Sequence, residues 1–381
     1  MLPDFRLEAY FSRWEFAAKY HLTASDAQTM SLRELLSLAD ADGLARWDEL
    51  QLGYTQTYGL PELRSAIAST YANAAAEDVL CFAGASEAIY LAMRTLLGPG
   101  DHAVVLTPNY QSAETTPLSV CPVTGVALRP EEDWALDLAA VRAALRPATR
   151  VVSVNFPNNP TGTVPDPATW RQLAELCDER GIYLFSDEVY RGLELPPLVP
   201  LPQAADLSPT ALSLNVMSKA YGLPGLRIGW IVCRDRALLR RLERAKHYTS
   251  ICNAGPSEVL ALIALRAGQR ILDRNRQIVA ANLPLFDAFF ARYSDLFDWQ
   301  PPCGGCVAFP RYLGTDGVEA MCAELVEQAG VLLLPASIFA SALTATPADR
   351  FRVGVGRRDP AEALACWAHW LDQRRLSRPF P

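Results

Sequence analysis

Lysine is nearly missing from this chain. Of 35 basic residues only three are lysines, Lys19, Lys219 and Lys246, and the others are arginine. A guanidinium stays protonated in a protein, so any chemistry that needs a free amine has three addresses. Nine cysteines, an odd number scattered over 381 residues, argue against a disulfide framework. Cys303-Gly-Gly-Cys306 has the spacing of zinc and redox motifs, but no second Cys-x-x-Cys exists and histidines number only four. A zinc site needs about four ligands, so a backbone-driven turn is the better reading and no metal is expected. A basic surplus is missing too: the net charge of −7 excludes the basic face of a nucleic-acid binder. No apolar run approaches the ~20 residues that cross a bilayer. The longest such region, Val331 to Leu343, is broken by Pro335. The start, Met-Leu-Pro-Asp-Phe-Arg, has no uninterrupted apolar stretch of the signal-peptide kind. The expectation is a cytoplasmic protein that binds neither membrane nor nucleic acid.

From about Gly53 to Ile263, short apolar runs alternate with amphipathic stretches. The runs are Ala103–Leu106, Val151–Val154, Ile182–Phe185, Leu212–Val216 and Ile228–Val232; Leu138–Leu145 and Trp170–Glu179 have helical spacing. Such alternation predicts a mostly parallel sheet covered by helices on both faces. A long helical pattern, Ile271 to Phe290, leads to a tail with Val331–Leu334, Phe351–Val355 and a helix over Ala361–Gln373. The expected α/β architecture is a large domain over residues 46–282 and a smaller α+β domain built from both termini, residues 1–45 and 283–381. Leu195–Pro202, rich in proline, predicts an extended surface or interface loop.

Ligands of open parallel sheets bind beyond the carboxyl ends of the strands. Four segments fall there. Gly84-Ala85-Ser86 opens a helix whose free N–H groups suit an anion. Asn155-Phe-Pro-Asn-Asn159-Pro-Thr-Gly follows a strand and sets an amide at the sheet edge. Asp187 of Ser186-Asp-Glu-Val-Tyr190 ends a hydrophobic run, where an ionised carboxylate needs a cationic partner. Lys219 follows the apolar run Ala211 to Val216, a setting that lowers an amine's pKa, and Arg227 comes eight residues later after a glycine-rich turn. Lys246, among Arg240, Arg241 and Arg244, predicts a solvated helix face, and Lys19 has no phosphate-binding signal near it. An amine, a carboxylate, an anion cradle and neutral donors are together what pyridoxal phosphate requires.

On these motifs the chain resembles the class I/II aminotransferases, fold-type I pyridoxal-phosphate enzymes, from about Tyr54 to Arg352. The resemblance implies that Lys219 carries the cofactor as a Schiff base, that Asp187 pairs with its pyridinium nitrogen, and that Tyr190 and Asn159 bind its phenolate oxygen. It further implies that Tyr110, in Thr107-Pro-Asn-Tyr110, stacks on the ring, and that Ala85, Ser86 and Arg227 hold the phosphate. Tyr54, in Tyr54-Thr-Gln-Thr-Tyr-Gly, matches a tyrosine that reaches the neighbouring subunit's phosphate, which implies a homodimer. Arg352, in Phe351-Arg-Val-Gly, matches the arginine that clamps the substrate α-carboxylate. Two positions depart from the pattern. Val216 stands where a serine often touches the phosphate, so that contact is either missing or supplied by Ser218, and Pro335-Ala-Ser337 replaces Pro-Gly-Ser near the substrate mouth.

The function so implied is transfer of an amino group between an amino acid and a 2-oxo acid, Lys219 acting as general base and acid. A pyridoxal-phosphate C–S lyase is the alternative that the motifs do not separate. A non-catalytic cofactor-binding regulator would need a DNA-binding segment, for which the chain has no spare length. The stretch Tyr10 to Tyr20 is expected to fold over the mouth, where Glu15 would suit a cationic or polar side chain.

Overall fold

The computed structural model describes residues 2–377. Seven strands form its main sheet: β1 (Val79–Phe82), β2 (His102–Thr107), β3 (Val123–Ala127), β4 (Thr149–Asn155), β5 (Tyr183–Asp187), β6 (Leu212–Val216) and β7 (Gly229–Val232). Their spatial order is β1-β7-β6-β5-β4-β2-β3. The five strands from β6 to β3 pair in parallel, whereas β7 runs antiparallel to both of its neighbours.

Strands buried on both faces need apolar residues at successive positions, and here neighbours along a strand feed different cores. Val151 joins one cluster and Val152 the other; Phe185 and Leu184 divide in the same way. Helix α2 (Ala85–Leu96) supplies Ala88, Ile89 and Ala92 to the first cluster with Leu214 and Val216. Helix α3 (Pro167–Glu179) supplies Trp170, Leu173 and Leu176 to the second with Val152 and Leu184. The helix-covered, mostly parallel sheet is therefore as expected.

Beyond it, helix α4 (Gly268–Arg292) leads to the smaller α+β part. Val307–Ala308, Phe351–Gly354 and Leu334–Pro335 make a three-stranded antiparallel sheet. The amino-terminal end joins it, because Tyr20–His21 pairs in parallel with Val331–Leu332. The terminal helix α5 (Ala361–Ser377) presses Trp367 against Phe289, with ring centroids 4.5 Å apart. Among the described residues no helix is long and apolar enough to cross a membrane.

One expectation needs correction, and some strand features have no counterpart in the sequence reading. The periodicity reading has no strand at β1 or β3, since Val79–Phe82 runs straight on from a short 3-10 turn and β3 is only half-buried at the sheet edge. It also gives no direction for β7. Lys246 is not solvated: it is 0 % exposed, and its Nζ donates to the Thr57 carbonyl at 2.6 Å. It follows Leu239 and Leu242 at helical spacing and so shares their buried face, while Arg240, Arg241 and Arg244 point outward. Burial lowers its pKa.

Candidate active site

The sheet topology explains why distant segments converge. Strands β1, β2, β4, β5 and β6 all end at one edge of the sheet. Because β7 is reversed, its first residue rather than its last lies there: Gly229 pairs with Phe82 at the end of β1 and with Val216 at the end of β6. Arg227, two residues before Gly229, thus joins the ends of the parallel strands. A cavity of about 740 Å³ opens over this edge, lined by Ala85, Ser86, Tyr110, Asn159, Asp187, Tyr190, Ser218, Lys219 and Arg227.

Lys219 donates from Nζ to Ser25 Oγ at 2.8 Å. Packing around the amine lowers its pKa; Asp26 raises it and Arg352 lowers it further. Asp187 is 8 % exposed, and burial pushes its carboxyl up to about 7 even though Val189 N donates to Oδ1 at 3.2 Å. Among the described residues that carboxyl has no ion-pair partner, Lys219 acting on it only from a distance, and a protonated ring nitrogen would restore its ordinary acidity. Asn155, beside Asp187 in the ladder, donates from Nδ2 to the Asp187 carbonyl at 3.1 Å and accepts from Asn159 N at 2.8 Å. Two cavity residues are thereby held by a third that also lines it.

Helix α2 starts at Ala85 after Gly84, whose φ of 93° suits glycine. A Cβ on Gly84 would overlap the Arg227 guanidinium. A positive side chain lying across a helix amino terminus is an anion cradle. Arg227 Nη1 also donates to Ser218 Oγ at 3.3 Å, so Ser218 stands at the cradle while Val216, on the cavity wall, offers no hydroxyl. Tyr110 is half-buried, and burial raises its phenol pKa against a hydrogen bond from Ser86.

Two residues of the predicted set lie elsewhere. Tyr54 is 94 % exposed and does not line this cavity. Arg352 is 0 % exposed and reaches the cavity only through a neighbour: Nη1 donates to Asn159 Oδ1 at 3.2 Å, and Nη2 to the Thr23 carbonyl at 2.8 Å. Pro335-Ala-Ser337 does not line the cavity either; Ser337 Oγ bonds Glu319 at 2.9 Å. Cys303 and Cys306 are free thiols. Their turn carries Gly305 at φ 79° against the Tyr190 ring, where a Cβ would stand 3.3 Å from Cγ, so the turn reading holds.

The segment Leu22–Gln28 carries no sequence signal, yet it threads the site. Thr23 accepts from Arg352, Ser25 from Lys219, and Ala27 N donates to the Lys219 carbonyl at 3.1 Å. Asp26 pairs with Arg357 at 2.7 Å, and both line the cavity.

Pyridoxal phosphate fits this arrangement. Among the described residues the buried Tyr190 hydroxyl has no hydrogen-bond partner of good geometry; burial holds its pKa well above the usual value, and Ser25 nearby only lowers it in part. An anionic ring oxygen would satisfy it. The Gly84–Arg227 cradle suits the phosphate, Asp187 the ring nitrogen and Lys219 the aldehyde carbon. When bound, the cofactor supplies an electron sink for charge developing at a substrate carbon.

The comparisons agree. Residues 30–365 match the family model described as aminotransferase class I and II. Capreomycidine synthase of Streptomyces vinaceus is 33 % identical over 361 residues, covering 93 % of this chain and 89 % of that one. A PLP-dependent aminotransferase from Streptococcus suis superposes with a TM-score of 0.90 at 29 % identity, over 99 % of this chain and 98 % of that one. The PLP-dependent cyclase OrfR superposes with a TM-score of 0.89 at 28 % identity, over 98 % of each chain. The chain belongs to the class I and II aminotransferase family of fold-type I enzymes, and its cofactor is pyridoxal phosphate.

Proposed function

We propose that the protein transfers an amino group between an amino acid and a 2-oxo acid. The observation that carries this reading is Lys219: a cavity amine of lowered pKa, on the same sheet edge as Asp187 and Tyr190. A depressed pKa lets it serve in turn as base and acid. In this reading Lys219 would take the proton from the substrate Cα and redeliver it, while pyridoxal phosphate, held by Asp187, Tyr190 and the Gly84–Arg227 cradle, would supply the electron sink between the two transfers. In the same reading Asn159, which lines the cavity, and Arg352, bonded to it from behind, would take the α-carboxylate, the arginine turning its planar pair of nitrogens from Asn159 and Thr23 to the two oxygens. Asp187 keeps its negative charge against the ring nitrogen. A second copy of the chain covers Tyr54, which would otherwise leave its ring 94 % exposed beside Leu52 at 87 %.

Likeness to a capreomycidine synthase and to a cyclase favours a second reading, in which the amino group stays in a cyclised product and no acceptor is consumed. One experiment separates them. The loaded enzyme is mixed with a good amino donor and no 2-oxo acid. Transamination converts the bound cofactor stoichiometrically to its amine form and stops until an acceptor is added. Continued turnover without acceptor overturns it: a cyclic product supports the cyclase, and ammonia with pyruvate from a β-substituted donor supports the lyase.

A further inference from the structure

The outer wall of the cavity includes helix α1 (Arg6–Trp14) and the turn after it. Glu8, Phe11 and Glu15 line the cavity, and their spacing of three and four residues puts them on one helical face. That face is fixed in direction. Arg6 N donates to Gln111 Oε1 at 2.9 Å, and Gln111 Nε2 donates to the Asp4 carbonyl at 2.8 Å. Phe5 packs on Tyr110 with centroids 5.1 Å apart, and Phe11 on His21 at 5.4 Å.

Among the described residues the carboxylate of neither Glu8 nor Glu15 makes a hydrogen bond or an ion pair, although Glu15 is half-buried. Burial raises the Glu15 pKa, Glu8 and Asp26 raise it further, and Arg357 and Lys219 oppose them, so Glu15 lies within electrostatic reach of the reactive amine. The cations able to neutralise the pair are engaged elsewhere. Arg357 gives Nη2 to Asp26 at 2.7 Å and Nη1 to Thr29 Oγ1 at 3.2 Å. Lys19 lies 3.8 Å from Glu362 and over the Tyr20 ring. Arg227 belongs to the phosphate cradle, and Arg358 and Asp359 add one charge of each sign at the rim. What remains is a surplus of two carboxylates beside an aromatic wall, facing the space over Lys219.

We infer that the substrate is a basic amino acid, and that Glu15, assisted by Glu8, receives the ammonium or guanidinium at the end of its side chain. Phe11 would cover the intervening methylenes, as apolar walls do for long cationic side chains. The inference rests on the amino-acid reading of the site given above.

The test titrates the loaded enzyme with L-arginine, L-norleucine and L-glutamate, following the visible band of the lysine-bound cofactor. Half-saturation by arginine should come at a concentration about tenfold or more below that for norleucine, and glutamate should be weakest. In Glu15→Gln the arginine preference should shrink by about tenfold while norleucine is unchanged. Equal response to all three amino acids, or an unaltered preference in Glu15→Gln, overturns the inference. Failure of the amino-acid reading has a different signature: no visible band appears on adding pyridoxal phosphate. Calorimetric titration of the cofactor-free chain with the same three compounds then decides charge selectivity by itself, with tighter arginine binding expected and equal affinities overturning it.

Discussion

Lys219 and Ser25, 194 residues apart, meet through a 2.8 Å hydrogen bond from Nζ to Oγ. One lies just past the end of β6 and the other in the amino-terminal segment, whose Tyr20–His21 strand pairs with Val331–Leu332, so the amine is oriented from a part of the chain remote from its own strand. The segment is itself fixed by Gly354 N, which donates to the Leu22 carbonyl at 2.8 Å, and by Ala27 N on the Lys219 carbonyl.

Lys219 should carry the cofactor. Lys246 is also desolvated and has a lowered pKa, but it is capped by the Thr57 carbonyl and absent from the cavity. Borohydride reduction of the loaded protein followed by peptide mapping should therefore label Lys219. Label on Lys246 or Lys19 would contradict the assignment, and Lys219→Ala should fold yet lose the visible band.

Asp187 should govern both turnover and pH behaviour. Asp187→Asn is expected to bind cofactor but to lose about 100-fold or more in kcat, as removal of a buried electrostatic partner does. Burial lifts both Asp187 and Glu258 to about 7 in the cofactor-free chain. Each then holds a proton when folded at a pH where the unfolded chain has released it, so stability falls as pH rises from the ordinary carboxylate range to about 7. Denaturant titrations of the cofactor-free protein across that window should show the decline. Asp187→Asn should make the decline shallower, leaving the share due to Glu258, and a slope unchanged by the substitution would refute the linkage.

Arg352→Lys should raise KM for donor and acceptor alike by about tenfold to hundredfold, because an ammonium cannot keep both the Asn159 contact and a bidentate grip on a carboxylate. Steady-state kinetics with one substrate saturating would check it. An unchanged KM for both substrates would move the carboxylate site elsewhere.

Tyr54 should require a second subunit. Sedimentation under assay conditions should find at least a homodimer. Mixing inactive Lys219→Ala with inactive Tyr54→Ala should recover activity, since one site of a mixed dimer then has both groups. An active monomer would rule out the shared site.

Lys246 should stabilise the loop that carries Tyr54. Its Nζ holds the Thr57 carbonyl, while Glu258 Oε2 accepts from Leu60 N at 3.0 Å just beyond. In Lys246→Met the Thr57 carbonyl loses its donor and Glu258 a nearby cation. Unfolding free energy should fall by about 1–3 kcal/mol, with faster amide exchange over residues 54–60. Wild-type stability in this variant would show that the buried charge contributes nothing.

The sequence by itself determined which residues are candidates for the proposed chemistry. With three lysines in the chain, only one follows a buried apolar run, and Asp187 ends another; both facts depend on local hydrophobic pattern, which burial in a two-faced sheet enforces. The Gly84 helix start and the Cys-Gly-Gly-Cys turn were legible for the same reason, since backbone conformation there is set by neighbouring residues. The burial of Lys246 was legible too, in the spacing from Leu239 and Leu242, although the flanking arginines outweighed it in the reading. Only the tertiary structure decided the rest. The reversal of β7 that brings Arg227 to the strand ends is a matter of pairing between segments far apart in the chain. Ser25, Thr23 and Asp26 matter through contacts across 194 to 331 residues, and no periodicity within Leu22–Gln28 encodes them. Arg352 likewise depends on Asn159, 193 positions away, for its orientation. Local propensity reports on a few neighbours, whereas the site is assembled where the strand ends, the amino-terminal segment and the carboxy-terminal α+β part meet.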